Sequence, residues 1–75
     1  MSTTMDSFEI KQIQEYLNKK FFSEYYEVKE DNNNSNSAEV YFKNEFIGLI
    51  YKDDEDGELA YQFLMTILDE DLLNS

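Results

Sequence analysis

The chain has 75 residues and no cysteine or histidine, and its 17 acidic residues against 6 basic ones give a formal net charge of −11. Without cysteine or histidine it cannot form disulfides or an ordinary structural zinc site. The basic residues are all lysines, too scattered to form a basic patch, so we expect it to bind neither nucleic acid nor an anionic membrane surface.

The length fits one small domain, 1–75, near the lower limit at which a hydrophobic core suffices by itself. Within it we expect a flexible N-terminus at 1–5, a flexible polar loop at 31–37 and a C-terminal tail at 69–75. The first ten residues lack the basic and apolar segments of a secretory signal. The longest apolar run, Phe46 to Tyr51, is too short to span a bilayer, so we expect a cytoplasmic protein.

Residues 6–22 are predicted to form one amphipathic helix. Asp6 followed by Glu9 is typical of a capping box at a helix start. Apolar residues then recur at spacings of three and four, which places them on one stripe: Ile10, Ile13, Leu17 and Phe21. Such a stripe usually packs into a core, so we assign it no function.

Three strands are predicted after the helix, at 25–29, 39–42 and 46–51, because aromatic and β-branched residues alternate there. The second and third are separated by a tight turn at Lys43 and Asn44, where asparagine accepts the positive φ that hairpin turns require. Gly48 lies inside the third strand and weakens it. It therefore indicates a bulge or a close neighbour.

The segment from Glu58 to Leu68 fits two periods. Alternate residues from Leu59 to Ile67 are apolar, as in a strand, but several residues also match a helical template. We favour a strand because Asp56 and Gly57 form a suitable hairpin turn and aromatic residues fit a pleated surface. The predicted fold is therefore α+β, with one N-terminal amphipathic helix packed on a four-stranded antiparallel meander.

With a two-residue turn at 43–44 and a three-residue loop at Gly57, alternation separates the two sheet faces. The helix should cover the face that carries Val40, Phe42, Ile47, Leu49, Tyr51, Tyr61, Phe63 and Met65. The opposite face is a candidate interaction face formed by Tyr41, Phe46, Ile50, Leu64 and Leu68. A sheet edge or terminal segment folded over that face is an equally good explanation, and a one-residue change in either turn would exchange the two sets.

The order of helix IKQIQEYLNKKF, hairpin SAEVYFKNEFIG and loop DDEDGEL resembles a family of small, acidic alphaproteobacterial proteins of unknown function. The resemblance covers Ile10 to Leu72, and DDEDGEL is its most specific part. The chain departs from the family in the asparagine-rich run at 31–36, which we interpret as loop. The resemblance implies no activity, cofactor or catalytic residue.

The acidic loop at 53–58 surrounds Gly57 with five carboxylates, and oxygen clusters are what hard cations require. An EF-hand loop with its glycine at Gly57 would need acidic ligands where this chain has Lys52 and Phe63. That motif is therefore absent. Solvated loop charges explain the run better, which leaves three weak metal candidates: Asp54, Asp56 and Glu58.

Enzymatic function has the least support, because no histidine is available to activate a nucleophile and no phosphate-binding loop is present. We expect no cofactor. The sequence favours a non-enzymatic protein-interaction module with a protein partner, and self-association into a homodimer is one form of that function. The alternatives are a divalent-cation-binding protein that uses the acidic loop and an acidic decoy of a nucleic-acid-binding protein.

Overall fold

The computed structural model describes residues 4–54 and 57–73. The elements, in chain order, are α1 (Ser7–Lys20), β1 (Tyr26–Glu30), β2 (Ser37–Phe42), β3 (Glu45–Asp53), β4 (Ala60–Met65) and α2 (Asp69–Leu73). The strands form one antiparallel sheet in the order β1-β2-β3-β4, and this confirms the predicted α+β meander. Within the described ranges, no helix has the length and apolar character needed to cross a membrane.

Helix α1 begins at the predicted capping box. The Glu9 N–H donates to Asp6 Oδ1 at 2.8 Å, and the Asp6 N–H donates to Glu9 Oε1 at 3.1 Å. Two amide groups that lack partners within the helix are thereby satisfied. The helix ends at Lys20, two residues before the predicted end, because Phe22 takes a φ of 51°. The Ser23 N–H then donates to a carbonyl of the last turn, which closes the helix end.

One face of the sheet packs against α1 and forms the core. The buried apolar side chains come from the N-terminal segment, the helix and the first three strands: Met5, Ile10, Leu17, Val28, Ala38, Val40 and Ile50. Ile13, Tyr26, Ile47 and Phe63 pack around them and are partly exposed. This core is small, so each member contributes a large share of the burial that stabilises the domain.

A β-bulge interrupts the pairing of β2 and β3. Lys43 and Asn44 form the predicted two-residue turn, with φ values of 51° and 68°, and Phe42 pairs with Glu45. The register then shifts between Val40 and Tyr41, so Val40 pairs with Gly48 rather than with residue 47. From this point each residue of β3 faces the opposite side from the one that an unbroken hairpin would give it.

Gly48 also meets a close neighbour, so both of the explanations that the sequence offered for this glycine are confirmed. A Cβ added at Gly48 would lie 2.2 Å from the Leu64 carbonyl oxygen and 2.9 Å from the Met65 Cα. Real side chains do not approach backbone atoms so closely. The absence of a side chain at this position therefore lets β4 lie against β3 at the bulge.

The N-terminal segment and the polar loop contact each other. Met5, which we expected in the flexible terminus, is 5% exposed, and its N–H donates to the Ser35 carbonyl at 2.8 Å. Ser37, expected in the loop, is buried as the first residue of β2, and its hydroxyl donates to Asp31 Oδ2 at 2.8 Å. Asp31 also accepts a hydrogen bond from the Asn33 N–H at 2.9 Å, as in an Asx turn.

The loop between β3 and β4 is longer than the three residues expected. β3 ends at Asp53, which pairs with Ala60, so residues 54–59 connect the strands. Gly57 lies in the left-handed region at a φ of 79°, as predicted, and its N–H donates to the Asp54 carbonyl at 3.3 Å. The strand predicted at 58–68 is confirmed over Ala60–Met65.

Candidate functional site

The two outer edges of the sheet differ in how they are covered. At β1, the Asn18 side chain accepts from the Tyr26 N–H at 2.9 Å and donates to the Tyr26 carbonyl at 3.1 Å. Gln14 Oε1 accepts from the Val28 N–H at 3.1 Å. β1 also carries three charged residues: Glu27, Lys29 and Glu30. Covering side chains and charges both prevent another strand from adding to an edge.

The outer edge of β4 has neither protection. The Thr66 N–H donates to the Ile47 carbonyl at 2.8 Å, so in an antiparallel ladder the backbone groups of residues 60, 62 and 64 also face β3. Those of Tyr61, Phe63 and Met65 point away from the sheet. Within residues 4–54 and 57–73 these outward groups have no hydrogen-bond partner. β4 contains no charged residue.

Apolar side chains remain exposed on both faces of β4 and in the segment that follows. Leu64 is 59% exposed on the face away from α1, and Met65 is 58% exposed on the helix side. Further apolar side chains are exposed up to the end of the described chain: Ile67, Leu68, Leu72 and Leu73. Helix α2 buries none of its residues. So many exposed apolar side chains are unusual in a chain so rich in acidic residues.

A groove of about 360 Å³ lies between α1 and β4 on the helix side of the sheet. Ile13, Tyr16 and Leu17 form its helix wall, and Ile50 and Phe63 form its floor. The groove exists because α1 packs mainly over β1, so the helix-side surface of β4 is only partly covered. Its apolar lining and its position beside a free strand edge make it part of the same site.

A polar cluster closes one end of this groove. Lys52 Nζ lies 2.8 Å from Glu9 Oε2, with the two side chains 14% and 13% exposed, and it also donates to the Thr4 carbonyl at 3.1 Å. The Tyr61 hydroxyl donates to Glu9 Oε2. The cluster therefore links α1 to both β3 and β4 at the mouth of the groove.

The pKa shifts in this cluster follow from its contacts. Burial disfavours the Glu9 carboxylate, but hydrogen bonds from Lys52, Tyr61 and the Asp6 backbone outweigh it and lower the Glu9 pKa to about 2. Burial and the hydrogen bond to Glu9 raise the Tyr61 pKa to about 12. At neutral pH the glutamate holds its charge and the tyrosine its proton. Neither pKa lies near neutrality, where a general acid or base works best.

The five residues of the predicted interaction face do not all lie on the same side of the sheet. Tyr41 and Phe46 pair across β2 and β3 on the face away from α1, with ring centroids 5.7 Å apart, and Leu64 also lies on that face opposite Leu49. The assignment of Ile50 to this face is wrong. Ile50 is 2% exposed and belongs to the core. Leu68 is exposed but lies beyond β4, in the connection to α2.

A bulge explains the incorrect face assignments in β3, and a longer loop restores the predicted faces in β4. The bulge at Gly48 reverses the faces of the later residues of β3, so Leu49 and Tyr51 lie on the open face and Ile50 on the helix face. The β3–β4 loop has six residues instead of three, which reverses the faces again. The two changes cancel at β4. Phe63 therefore packs against the core and Leu64 lies outside, as predicted.

Another aromatic contact on the open face was not foreseen. Lys29 Nζ lies 4.8 Å from the Tyr41 ring centroid, and the Tyr41 hydroxyl donates to Glu39 Oε1 at 3.1 Å. This hydrogen bond, with some burial, raises the pKa of Tyr41. Tyr41 is thus held by neighbours from β1 and β2, whereas Leu64 is not covered. On the open face, the side chain in β2 is therefore covered by neighbours, whereas Leu64 in β4 is exposed to solvent.

The acidic loop does not assemble a cation site in the part of the chain that the structure describes. Asp54 is half-buried and Glu58 is exposed, while Asp56 lies outside the described residues. Among residues 4–54 and 57–73, no three acidic side chains come together in a way that could hold a metal ion.

The Glu9, Lys52 and Tyr61 cluster was not predicted from the sequence. Lys52 and Tyr61 lie 43 and 52 residues after Glu9 in the chain. The sequence pattern indicated only a capping-box role for Glu9. The available signal was Lys52 itself, a single basic residue that follows the apolar run of β3. A buried lysine requires an acidic partner, but the sequence does not indicate which one.

These features define a small α+β domain in which one helix covers half of a four-stranded meander and leaves the other edge open. The chain belongs to a family described as protein of unknown function (DUF3126), whose model matches residues 9–71. A search of curated proteins and a search of solved structures each found no match.

Proposed function

We propose that this chain is a non-enzymatic protein-interaction module that binds an extended segment of its partner along β4. The observation that carries the proposal is the contrast between the two edges. Side chains of α1 bond to the outward groups of Tyr26 and to the Val28 N–H, whereas the outward groups of β4 have no partner among the described residues. A strand added to such an edge forms main-chain hydrogen bonds, and side-chain pockets on the two faces then select its sequence.

The side chains around β4 fit this role. Leu64 provides an apolar contact on the open face, and Met65 provides one on the helix side. The groove beside α1 can accept an apolar side chain of the added strand between Tyr16 and Phe63. The partner would thus make apolar contacts on both faces, in addition to backbone hydrogen bonds.

The charge distribution supports an uncharged contact. The run from Leu59 to Leu68 is the longest stretch of the chain without a charged residue. It carries β4 and part of the exposed apolar segment after it. A partner that approaches here avoids most of the repulsion or attraction that a net charge of −11 would produce elsewhere.

No catalytic role is proposed for the polar cluster beside the groove. The Glu9 pKa near 2 makes its carboxylate a weak base at neutral pH, and the Tyr61 pKa near 12 keeps its phenol protonated. The contacts of Lys52 with Glu9 and with the Thr4 carbonyl hold α1 against the sheet. The cluster therefore fixes one wall of the groove.

Site-specific photocrosslinking in cells that make this protein naturally tests the proposal. A photoreactive residue at Leu64 is compared with one at Glu27. Each side chain lies on the open face of an edge strand, Leu64 in β4 and Glu27 in β1. We expect covalent adducts with protein at position 64 and few at position 27. Equal yields at the two positions, or none at position 64, would refute the role of β4.

A further inference from the structure

We infer that the strand bound by β4 is the β4 strand of a second copy of this chain. The two strands pair antiparallel around a two-fold axis at Phe63 and form one continuous eight-stranded sheet. This inference rests on the proposed function, because it names the partner of the same edge. It is drawn from the register, the charge pattern and the position of the groove.

The register of β4 allows this pairing. The outward backbone groups belong to Tyr61, Phe63 and Met65, which alternate evenly around Phe63. In a symmetric antiparallel pair, Phe63 lies opposite Phe63 of the second copy, and Tyr61 lies opposite Met65. Each outward N–H then meets an outward carbonyl. The pairing thus provides partners for the groups of both copies that have none within residues 4–54 and 57–73.

The side chains also match across the proposed axis. Aromatic pairs and sulfur–aromatic contacts are favourable between neighbouring strands, and Phe63 with Phe63 and Tyr61 with Met65 provide both kinds. On the open face, Gln62 lies opposite Leu64 of the second copy. No charged side chain falls within the paired segment.

The two-fold axis places both α1 helices on the same side of the extended sheet. Antiparallel strands within one sheet are related by an axis perpendicular to that sheet, and such an axis keeps each face on its own side. The two grooves beside α1 therefore open towards each other, with Tyr16 and Phe63 in the lining of each. The helix-side residues of the second β4 cover the open side of each groove.

Charge selects against other arrangements of two copies. With a net charge of −11 on each chain, close approach is least unfavourable along the uncharged run at 59–68. In the proposed register, Glu58 of one copy comes near Asp69 of the other. Added salt screens this repulsion, so it strengthens the dimer. A basic protein partner would be bound more weakly as salt rises.

The first experiment is sedimentation of the full chain over a range of protein and salt concentrations. The wild-type chain should form a dimer whose affinity rises with salt. Met65→Pro removes an outward N–H and places the proline ring at the interface, while the hydrogen bonds to β3 remain. Its two symmetric losses should weaken the dimer about thirtyfold or more. Glu30→Pro is the matched control at the edge of β1 and should dimerise normally.

Disulfide trapping checks the register and does not depend on the proline variant folding. The chain has no cysteine, so an engineered pair forms only between copies. Gln62→Cys chains mixed with Leu64→Cys chains should cross-link faster than either variant alone, because residues 62 and 64 lie opposite each other across the axis. Equal rates in the mixture and in the separate samples would refute this register.

The outcomes separate this inference from the proposed function. A chain that stays monomeric at all concentrations and salt levels, but cross-links to a different protein from position 64, refutes the self-pairing and retains the interaction module. A monomeric chain that yields no adducts from position 64 refutes both. A dimer abolished by Met65→Pro and retained in Glu30→Pro supports both.

Discussion

The two edge strands of this sheet differ in how far their outward backbone groups are protected from pairing with another strand. β1 is charged, and side chains of α1 occupy three of the backbone groups that another strand would bond to, those of Tyr26 and the Val28 N–H. β4 is uncharged, and its outward backbone groups have no partner among the described residues. An unprotected edge is normally a liability for aggregation. The contrast between this edge and the better-protected edge on the other side of the sheet is the basis of the interaction that we propose for β4.

The largest loss of stability is expected from a substitution that separates β4 from β3. Gly48→Ala places a Cβ 2.2 Å from the Leu64 carbonyl oxygen, so β4 must move and the bulge must rearrange. We expect a loss of about 3 kcal/mol in the free energy of unfolding, measured by urea denaturation. Gly57→Ala is the control, because its Cβ meets nothing within 4 Å. The positive φ there should cost about 1 to 2 kcal/mol, and an equal loss for both variants would contradict the role of the close approach.

The second effect comes from removing the cover of β1. Gln14→Leu combined with Asn18→Leu leaves the outward groups of Tyr26 and the Val28 N–H without their side-chain partners. We expect a loss of about 2 to 3 kcal/mol in unfolding free energy. Light scattering should also show that the double variant associates through β1, so that adding Met65→Pro to it no longer prevents association. If the double variant behaves like the wild type in both measurements, the cover of β1 has no protective role.

A smaller effect is expected from the cluster that holds α1 against β4. Glu9→Gln weakens the contacts with Lys52 and Tyr61 and should cost about 1 to 2 kcal/mol at neutral pH. Because the folded pKa of Glu9 is lowered to about 2, its stabilising contribution is complete at neutral pH. It is lost as the pH falls from about 4.5 towards 2.

Urea midpoints measured across this pH range check the prediction for Glu9. The wild type should lose more stability on acidification than Glu9→Gln does. Glu15→Gln, a change of the same kind at an exposed position of α1, should follow the wild type. A wild-type acid dependence that survives in Glu9→Gln would show that another carboxylate carries it.

The smallest effect is expected at Tyr61. Tyr61→Phe removes the hydroxyl that donates to Glu9 and should cost about 1 kcal/mol at neutral pH. The Tyr61 pKa is raised to about 12, so the folded state favours the protonated phenol. This contribution is present below pH 10 and is lost as the pH rises towards 12. Thermal unfolding of both chains between pH 9 and about 11.5 should therefore show a smaller alkaline loss for Tyr61→Phe.

Local patterns in the sequence predict the elements of this fold, but not how the faces of its strands combine. The capping box at Asp6 and the turn at Lys43 and Asn44 depend on neighbouring residues, so they can be identified from the chain alone. The face that Ile50 occupies depends on the bulge at Gly48 and on the loop length before β4. One inserted residue reverses every later side chain, and the sequence indicates that a bulge exists without giving its register.

The candidate site is less accessible to sequence analysis than the fold. The uncharged run at 59–68 can be identified from the sequence alone. The face that Leu64 occupies was predicted correctly only because the bulge and the longer loop cancel. The covering of β1 by Gln14 and Asn18 does not, because polar residues on the far side of a helix stripe usually face water. The cluster at Glu9 joins segments that are distant in the chain, and such pairings emerge only after the sheet has formed.

The meander order also shapes how the domain folds and opens. Each strand pairs with its predecessor, so most of the sheet forms from contacts that are local in sequence, which favours rapid folding. β4 is the last strand of the chain and is held by β3 and by the bond from Tyr61 to Glu9 across 52 residues. In the isolated chain we therefore expect β4 to be the least stable cooperative unit. Amide hydrogen exchange should be fastest there and slowest in β2, which has a strand on each side.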